Sequence, residues 1–386
     1  MSIFGDSTFF IWAALLLIPA VILGIMEKPI KYYGFLLSLF FIGAACINSP
    51  VSLVYMGLYC IWQYGLARVM LKVTEKNGRD RRTFWAAISF SILPLAVFKL
   101  SELIGHSLFG FIGISYLTFK SVQIIIEIYD EIIKECRPFE FAYFLLFFPS
   151  VSAGPIDRSR RFEEDIRRIP PKKEYLDMVG TGLFKICLGL VYKFVIAALL
   201  YQGITYIAYV DIVSRFWVQL GYMYLYGGYL FFDFAGYSLM AIGVSYILGV
   251  KTPENFNKPF ISTDIREFWD RWHITLSHWF RDFVFSRFMM ASIRGKWFRS
   301  KLTGAACGFM INMTLMGIWH GLDMSYIIYG VYHGILLSIT EMYQKKSKFY
   351  KKNKKKKWYI WISRVITFNL VMFGFYIFSG RLMEII

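Results

Sequence analysis

The chain has 386 residues, of which 57% are hydrophobic, 19% aromatic and only 18% charged. That balance excludes an ordinary soluble domain of this length, which carries more charge and less phenylalanine. The formal net charge of +17 does not point to nucleic acid, because the cations gather in short loops between apolar segments, the pattern of a polytopic membrane protein with its basic loops in the cytoplasm.

In chain order the first apolar segment, Thr8 to Met26, lacks a basic leader and a small-residue cleavage site, so it reads as an anchor rather than a cleaved signal. Clear spans follow at Val51 to Leu71, Leu183 to Tyr201, Tyr237 to Val250 with the Phe-rich turn before it, Gly304 to Trp319, and Trp358 to Phe378. Shorter or broken apolar runs lie around Tyr33 to Cys46, Phe84 to Phe98, Phe109 to Ile126 and Phe139 to Val151. A helix needs about twenty residues to cross a ~30 Å core, which predicts an all-α membrane protein of roughly ten to twelve crossings, some partial or re-entrant. The basic loops Lys72 to Arg82, Arg158 to Lys173, Arg281 to Lys301 and Lys345 to Lys357 face the cytoplasm on this reading, and the N-terminus falls outside. The Lys-rich run can also touch anionic headgroups. Five scattered cysteines, mostly in apolar segments, suggest neither a disulfide framework nor a metal site.

No repeat or Ser/Gly/Pro linker divides the chain, so residues 1–386 read as one membrane domain. Residues 251–301 would be cytoplasmic or interfacial helices, 302–341 a helical pair, and 342–386 a Lys-rich loop with a final helix. Within 251–301, Pro253 and Pro259 keep the chain extended. From Ile265 onward Phe268, Trp269, Trp272, Leu276, Trp279, Phe280 and Phe283 recur at intervals of three and four, which predicts one continuous aromatic stripe along an α-helix. Arg266, Glu267, Asp270, Arg271, His278, Arg281 and Asp282 occupy the opposite side, so the helix lies in an interface or lines a polar cavity. Ser262, Thr263 or Asp264 would cap it, with Glu267 three residues after Asp264.

Candidate chemistry rests on five histidines. His320 ends a segment with no charge from Thr303 onward, where an ionisable group is costly and its imidazole suits proton transfer near neutral pH. Its plainer role is a hydrogen bond to a backbone carbonyl. His273 stands beside Trp272 at the edge of the stripe, facing a cavity or anchoring at the interface; His278 belongs to the charged face. His333 reads as a helix-packing residue, and His106 lies in a Gly-flanked break. Asn312, eight residues before His320, would share roughly its helix face and could orient it. Asp233, in Phe231-Phe232-Asp233-Phe234, is an intramembrane acid suited to holding a Tyr, Arg or backbone group. His273 and His278 are five apart and there is no H-E-x-x-H, so a metal is not expected; nucleophile elbow, P-loop and dinucleotide fingerprint are also missing from the sequence.

The run Phe268-Trp269-Asp270-Arg271-Trp272-His273-Ile274-Thr275-Leu276-Ser277, then Trp279-Phe280-Arg281-Asp282, precedes Trp319-His320-Gly321, whose histidine lies 47 positions after His273. With Gly113-Ile114-Ser115-Tyr116-Leu117-Thr118-Phe119, Ser152-Ala153-Gly154-Pro155-Ile156-Asp157-Arg158, Phe231-Phe232-Asp233-Phe234-Ala235-Gly236-Tyr237-Ser238 and Asn257-Lys258-Pro259-Phe260, it resembles the membrane-bound O-acyltransferase (MBOAT) superfamily, and within it the D-alanyl-transferring branch of Gram-positive bacteria. The resemblance implies a multi-pass plasma-membrane acyltransferase that binds no cofactor directly. D-alanine would arrive as a thioester on the phosphopantetheine arm of a cytoplasmic D-alanyl carrier protein. It would leave through an extracytoplasmic D-alanyl transfer partner protein, ultimately for teichoic acid.

The resemblance also matches the family's histidines to His320 and His273. His320 would be the general base for the acceptor hydroxyl, and His273 would polarise the thioester carbonyl or orient the acyl group. Carrier proteins are acidic, and Arg287, Arg294 and Lys301 surround the adaptable apolar residues Met289, Met290 and Ile293, a predicted carrier dock. Rival readings are a polysaccharide O-acetyltransferase of the alginate type, a proton-coupled transporter of envelope precursors using His320 and Asp233, and a structural scaffold in which His320 is dispensable.

Overall fold

Asp6 opens the first helix, its carboxylate accepting from the Phe9 amide at 2.8 Å, and Ser7–Ile25 then runs without a charged residue. The computed structural model describes residues 1–103, 105, 109–209 and 216–384, and every regular element among them is helical. Among the described residues, six helical stretches are long and apolar enough to cross a membrane: Ser7–Ile25, Arg81–Leu103, Lys172–Ile207, Phe216–Ile247, Lys301–His320 and Lys357–Phe378. The roughly ten to twelve crossings read from the sequence, some partial or re-entrant, also include shorter apolar helices such as Lys31–Ala45 and helices that bury polar groups. Ile114–Tyr129 buries Lys120, Gln123 and Glu127, and Val51–Asn77 buries Gln63. Ile114–Tyr129 is sheltered by protein, where polar side chains find partners that lipid cannot offer, whereas Val51–Asn77 buries Gln63 on one face and exposes Leu58 and Ile61 on the other. His106 lies outside the described residues.

The chain packs as two compact units, one made of Met1–Leu190 with Tyr237–Pro253 and the other of Val191–Gly236 with Glu254–Ile386. In the first unit the buried Ile114–Tyr129 helix is the centre. Gly113 begins it at φ 82°, and a Cβ there would stand 2.0 Å from the Val151 carbonyl oxygen, so the position requires glycine on both counts. Lys120 donates from Nζ to the Phe144 carbonyl at 2.9 Å and to Ser150 Oγ at 3.1 Å, satisfying the C-terminal end of Pro138–Leu145. Tyr237 and Ser152 hydroxyls meet at 2.8 Å, tying together two of the diagnostic motifs. Gly182 and Gly243 bring two backbones together, since a Cβ on either would lie within 2.6 Å of the other's carbonyl oxygen.

In the second unit Lys301–His320 and Met324–Lys346 form a tight antiparallel hairpin. A Cβ on Gly317 would stand 2.4 Å from the Tyr326 carbonyl oxygen, and one on Gly330 2.4 Å from that of Met313. Close backbone approach of this kind is how small residues bind apolar helices to each other. Lys357–Phe378 joins the hairpin through Tyr332, which donates to the Leu370 carbonyl at 2.9 Å.

The stripe from Ile265 is not one helix. Asp264 does cap its start, accepting from the Glu267 amide at 2.9 Å while the Glu267 carboxylate returns to the Thr263 amide at 2.7 Å. The helix then stops at Trp269, and His273 takes a left-handed conformation at φ 43°, ψ 50° before Ile274–Phe280 begins. The following residues form a wide-turn segment, Arg281–Phe285, and then Ser286–Arg294. The break is held from outside: Asn257 N donates to the Arg271 carbonyl at 3.0 Å and Ile274 N to the Asn255 carbonyl at 2.9 Å. Aromatic spacing of three and four survives a sharp turn, so periodicity could not reveal it.

Candidate active site

His273 stands at that break because the left-handed residue turns its side chain off both flanking helices. Positive φ in a non-glycine residue is uncommon and costs energy that the surroundings must supply. The ring is 3% exposed and packs edge-on against Phe234, centroids 4.7 Å apart. Its Nδ1 lies 3.2 Å from Asn255 Oδ1. The same oxygen accepts from the Thr275 amide at 3.3 Å and the Thr275 hydroxyl at 2.7 Å, and Asn255 is itself buried. A backbone amide can only donate, so this atom of Asn255 is the amide oxygen and His273 Nδ1 must carry the proton. Nε2 is then the lone-pair nitrogen. Burial, reinforced by the nearby His320, holds the His273 pKa down to about 3, so the ring is neutral at physiological pH. A neutral imidazole in this tautomer accepts at Nε2 and has no proton there to donate to a carbonyl.

His320 closes the Lys301–His320 helix, beyond which Gly321 is extended. It is half-buried in an aromatic cluster, its ring centroid 5.1 Å from Phe378, 6.3 Å from Tyr326 and 6.4 Å from Tyr329. The two histidines therefore sit in one unit, close enough for a charge on one to act on the other. His333 does pack helices: buried, it accepts at Nδ1 from Trp269 Nε1 at 3.3 Å.

The same unit holds a cavity of about 410 Å³ lined by Arg266, Trp269, His278, Arg281, Asn312 and Met316, among others, with neither His273 nor His320 in its wall. His278, read as a residue of the solvated face, is half-buried on the cavity wall. Asn312 is buried on the same wall with Oδ1 lacking a hydrogen-bond partner. Eight residues of helix separate it from His320 by about 12 Å along the axis, too far to orient the ring by contact. Its place is in the cavity. Asp233 pairs with Lys193, a partner the sequence reading had not named; both residues belong to helices that qualify as membrane spans.

The predicted dock maps to Ser286–Arg294 and the turn after it. Met290 and Ile293 are exposed, and so is Trp297, at 58%. Arg294 and Lys301 are exposed beside them, whereas Met289 and Arg287 are half-buried, Met289 leaning toward Gly304. Sequence reasoning passed over two residues that matter here. Asn255 belongs to no motif named from the sequence, and only the fold brings it to His273. Trp297 was legible as a large apolar residue amid cations, a signal that the methionines overshadowed.

Residues 90–383 match the family model described as MBOAT, membrane-bound O-acyltransferase family. The chain is 41% identical over 394 aligned residues to a teichoic acid D-alanyltransferase of Bacillus subtilis (strain 168), covering 99% of this chain and 98% of the relative. It is 40% identical to a teichoic acid D-alanyltransferase of Streptococcus thermophilus, covering 99% and 96% respectively. A probable alginate O-acetylase AlgI of Pseudomonas aeruginosa is 34% identical over 71% of this chain and 49% of the relative. With its helical spans and its two motif histidines in one unit, the chain belongs to the membrane-bound O-acyltransferase family.

Proposed function

We propose that the protein transfers D-alanine from a thioester on a cytoplasmic carrier protein to a hydroxyl acceptor on the other side of the membrane, in a sequence that ends in D-alanylated teichoic acid. The pairing of His273 with His320 in one unit carries the chemistry. End-to-end similarity to named D-alanyltransferases supports the choice of donor and acceptor.

A thioester is already activated, so the protein must bind two partners, remove a proton and stabilise developing charge. His320 takes the proton of the acceptor hydroxyl as its oxygen attacks the thioester carbonyl carbon. The C–O bond forms, the C–S bond breaks, and the imidazolium returns the proton to the departing pantetheine sulfur. His273 serves the acyl group in a different way from carbonyl polarisation. Its bare Nε2 would accept from a donor, and the D-alanyl ammonium is the donor that this substrate offers. Orientation by that contact places the carbonyl before His320.

The phosphopantetheine arm would enter by the cavity of Arg266, Arg281 and Asn312, whose guanidinium and amide groups suit a phosphodiester and amide chain. The carrier itself would dock on Met290, Ile293 and Trp297 within the rim of Arg287, Arg294 and Lys301, with Met289 supporting from behind. This requires the basic loops to face the cytoplasm and the N-terminus to lie outside. An extracytoplasmic transfer protein would collect the D-alanyl group.

The test is reconstitution in vesicles with D-alanyl-loaded carrier, following labelled D-alanine across the bilayer. His320→Ala should abolish transfer while carrier binding persists, and retained transfer overturns the assignment. An acyl group accepted equally well as acetyl from another donor would move the reading to the polysaccharide O-acetylases.

A further inference from the structure

Away from the histidines, the second unit has another cavity of about 440 Å³, lined by the ends of Met324–Lys346 and Lys357–Phe378 and by the short helix Lys348–Asn353. Its walls change character along their length. At one end are Lys354 and the rings of Tyr343, Phe349, Tyr350, Trp358 and Tyr359; at the other are Ile339, Ile362, Ile366 and Leu370. Ile339, Ile362 and Ile366 are all more than 40% exposed, although they belong to helices that pack on each other.

Charge sets the polarity of this groove. Nine lysines fall between Lys345 and Lys357, and Lys354 is the one whose side chain lines the cavity, 5.6 Å from the centre of the Tyr350 ring. Asp264 is the acid on the wall, and its oxygens are engaged by the Glu267 amide at 2.9 Å and by Gln344 Nε2 at 2.8 Å. One carboxylate against the nine lysines of the run leaves the cationic end with a net positive field. Tyr and Trp rings beside lysines mark the level of lipid headgroups.

Length sets the depth. From Lys357 to Leu370 the helix rises about 20 Å at ~1.5 Å per residue. One leaflet, half of the ~40–45 Å that includes both headgroup layers, has the same depth. A basic aromatic end followed by an exposed aliphatic trough one leaflet deep fits one kind of occupant. We infer that this groove is a binding site for a single anionic phospholipid, its phosphate at Lys354 and one acyl chain along Ile339, Ile362, Ile366 and Leu370. Basic pockets between membrane helices hold anionic headgroups in this way, with roughly 1 kcal/mol contributed by each lysine near the surface. The inference does not depend on the acyl-transfer reading, since neither His273 nor His320 lines this groove.

Native mass spectrometry of the delipidated full-length protein in neutral detergent tests it, with phosphatidylglycerol and phosphatidylcholine as probes. Phosphatidylglycerol should be retained about tenfold more tightly. Lys354→Gln should weaken that retention about fivefold, the effect of one lysine, while Lys351→Gln, exposed on the same run but outside the groove, leaves it unchanged. Ile366→Trp should obstruct the trough and reduce retention of the lipid without altering the melting temperature of the lipid-free protein. Equal binding of the two lipids, equal effects of the Lys354 and Lys351 variants, or displacement of bound phosphatidylglycerol by millimolar inorganic phosphate would overturn the proposal.

Discussion

Asn255→Ala separates a site residue from loop filler. The substitution removes one oxygen on which three donors converge: His273 Nδ1 at 3.2 Å, Thr275 N at 3.3 Å and Thr275 Oγ1 at 2.7 Å. Each buried donor left without an acceptor costs about 1–3 kcal/mol. Two of the three bonds are long and count at the lower end, so the expected loss is about 3–5 kcal/mol, a large share of the ~5–15 kcal/mol that holds a typical protein folded. Function should suffer separately. With Nδ1 released, the His273 ring can take the other tautomer or rotate, and misdirected imidazoles cost at least about a hundredfold in rate. Asn255→Asp restores an acceptor of the same shape. The assay combines a melting curve in detergent with single-turnover D-alanyl transfer, run below the melting temperature of every variant. Ala should lose both stability and rate, and Asp should recover transfer relative to Ala with carrier affinity constant throughout. An Ala variant with wild-type melting and wild-type turnover would refute the tautomer argument.

Acid should destabilise the protein through His273. Its pKa is about 3 when folded against an ordinary value of 6.5, so between these limits the unfolded chain binds a proton that the folded chain excludes. This contribution is complete above about pH 6.5 and falls as pH drops toward 3, and His273→Asn should lessen the fall of melting temperature in that window. Gly330→Ala places a Cβ 2.4 Å from the Met313 carbonyl oxygen and should cost about 1–3 kcal/mol by forcing the hairpin apart; a melting temperature unchanged from wild type would contradict the packing described. Met290→Asp puts a like charge before an acidic carrier, and titration with that carrier should show at least about tenfold weaker binding. Undiminished affinity would remove Ser286–Arg294 from the dock.

Much was decided by the sequence alone. Apolar run lengths and the clustering of lysines and arginines in loops established a helical membrane protein, because lipid tolerates few alternatives and composition records that constraint directly. His320 stood out for the same reason, as an ionisable side chain ending an uncharged span. Asp264 and Glu267 announced a helix start through local chemistry that needs no tertiary context. Tertiary structure alone decided the rest. Asn255 and His273 are 18 residues apart, and the hydrogen bond that selects the imidazole tautomer exists only after Asn257 and Ile274 have folded the break around it. That break was hidden because a left-handed residue leaves the spacing of Phe268, Trp272 and Leu276 intact. Asn312 moved from supporting His320 to lining a cavity because a shared helix face does not shorten about 12 Å of axial rise. Asp233 gained Lys193 as its partner because residues 40 apart in sequence meet through the packing of two helices. Local rules are written in neighbouring residues, whereas the tautomer of a buried imidazole or the pairing of Lys193 with Asp233 depends on which distant backbone the fold brings alongside.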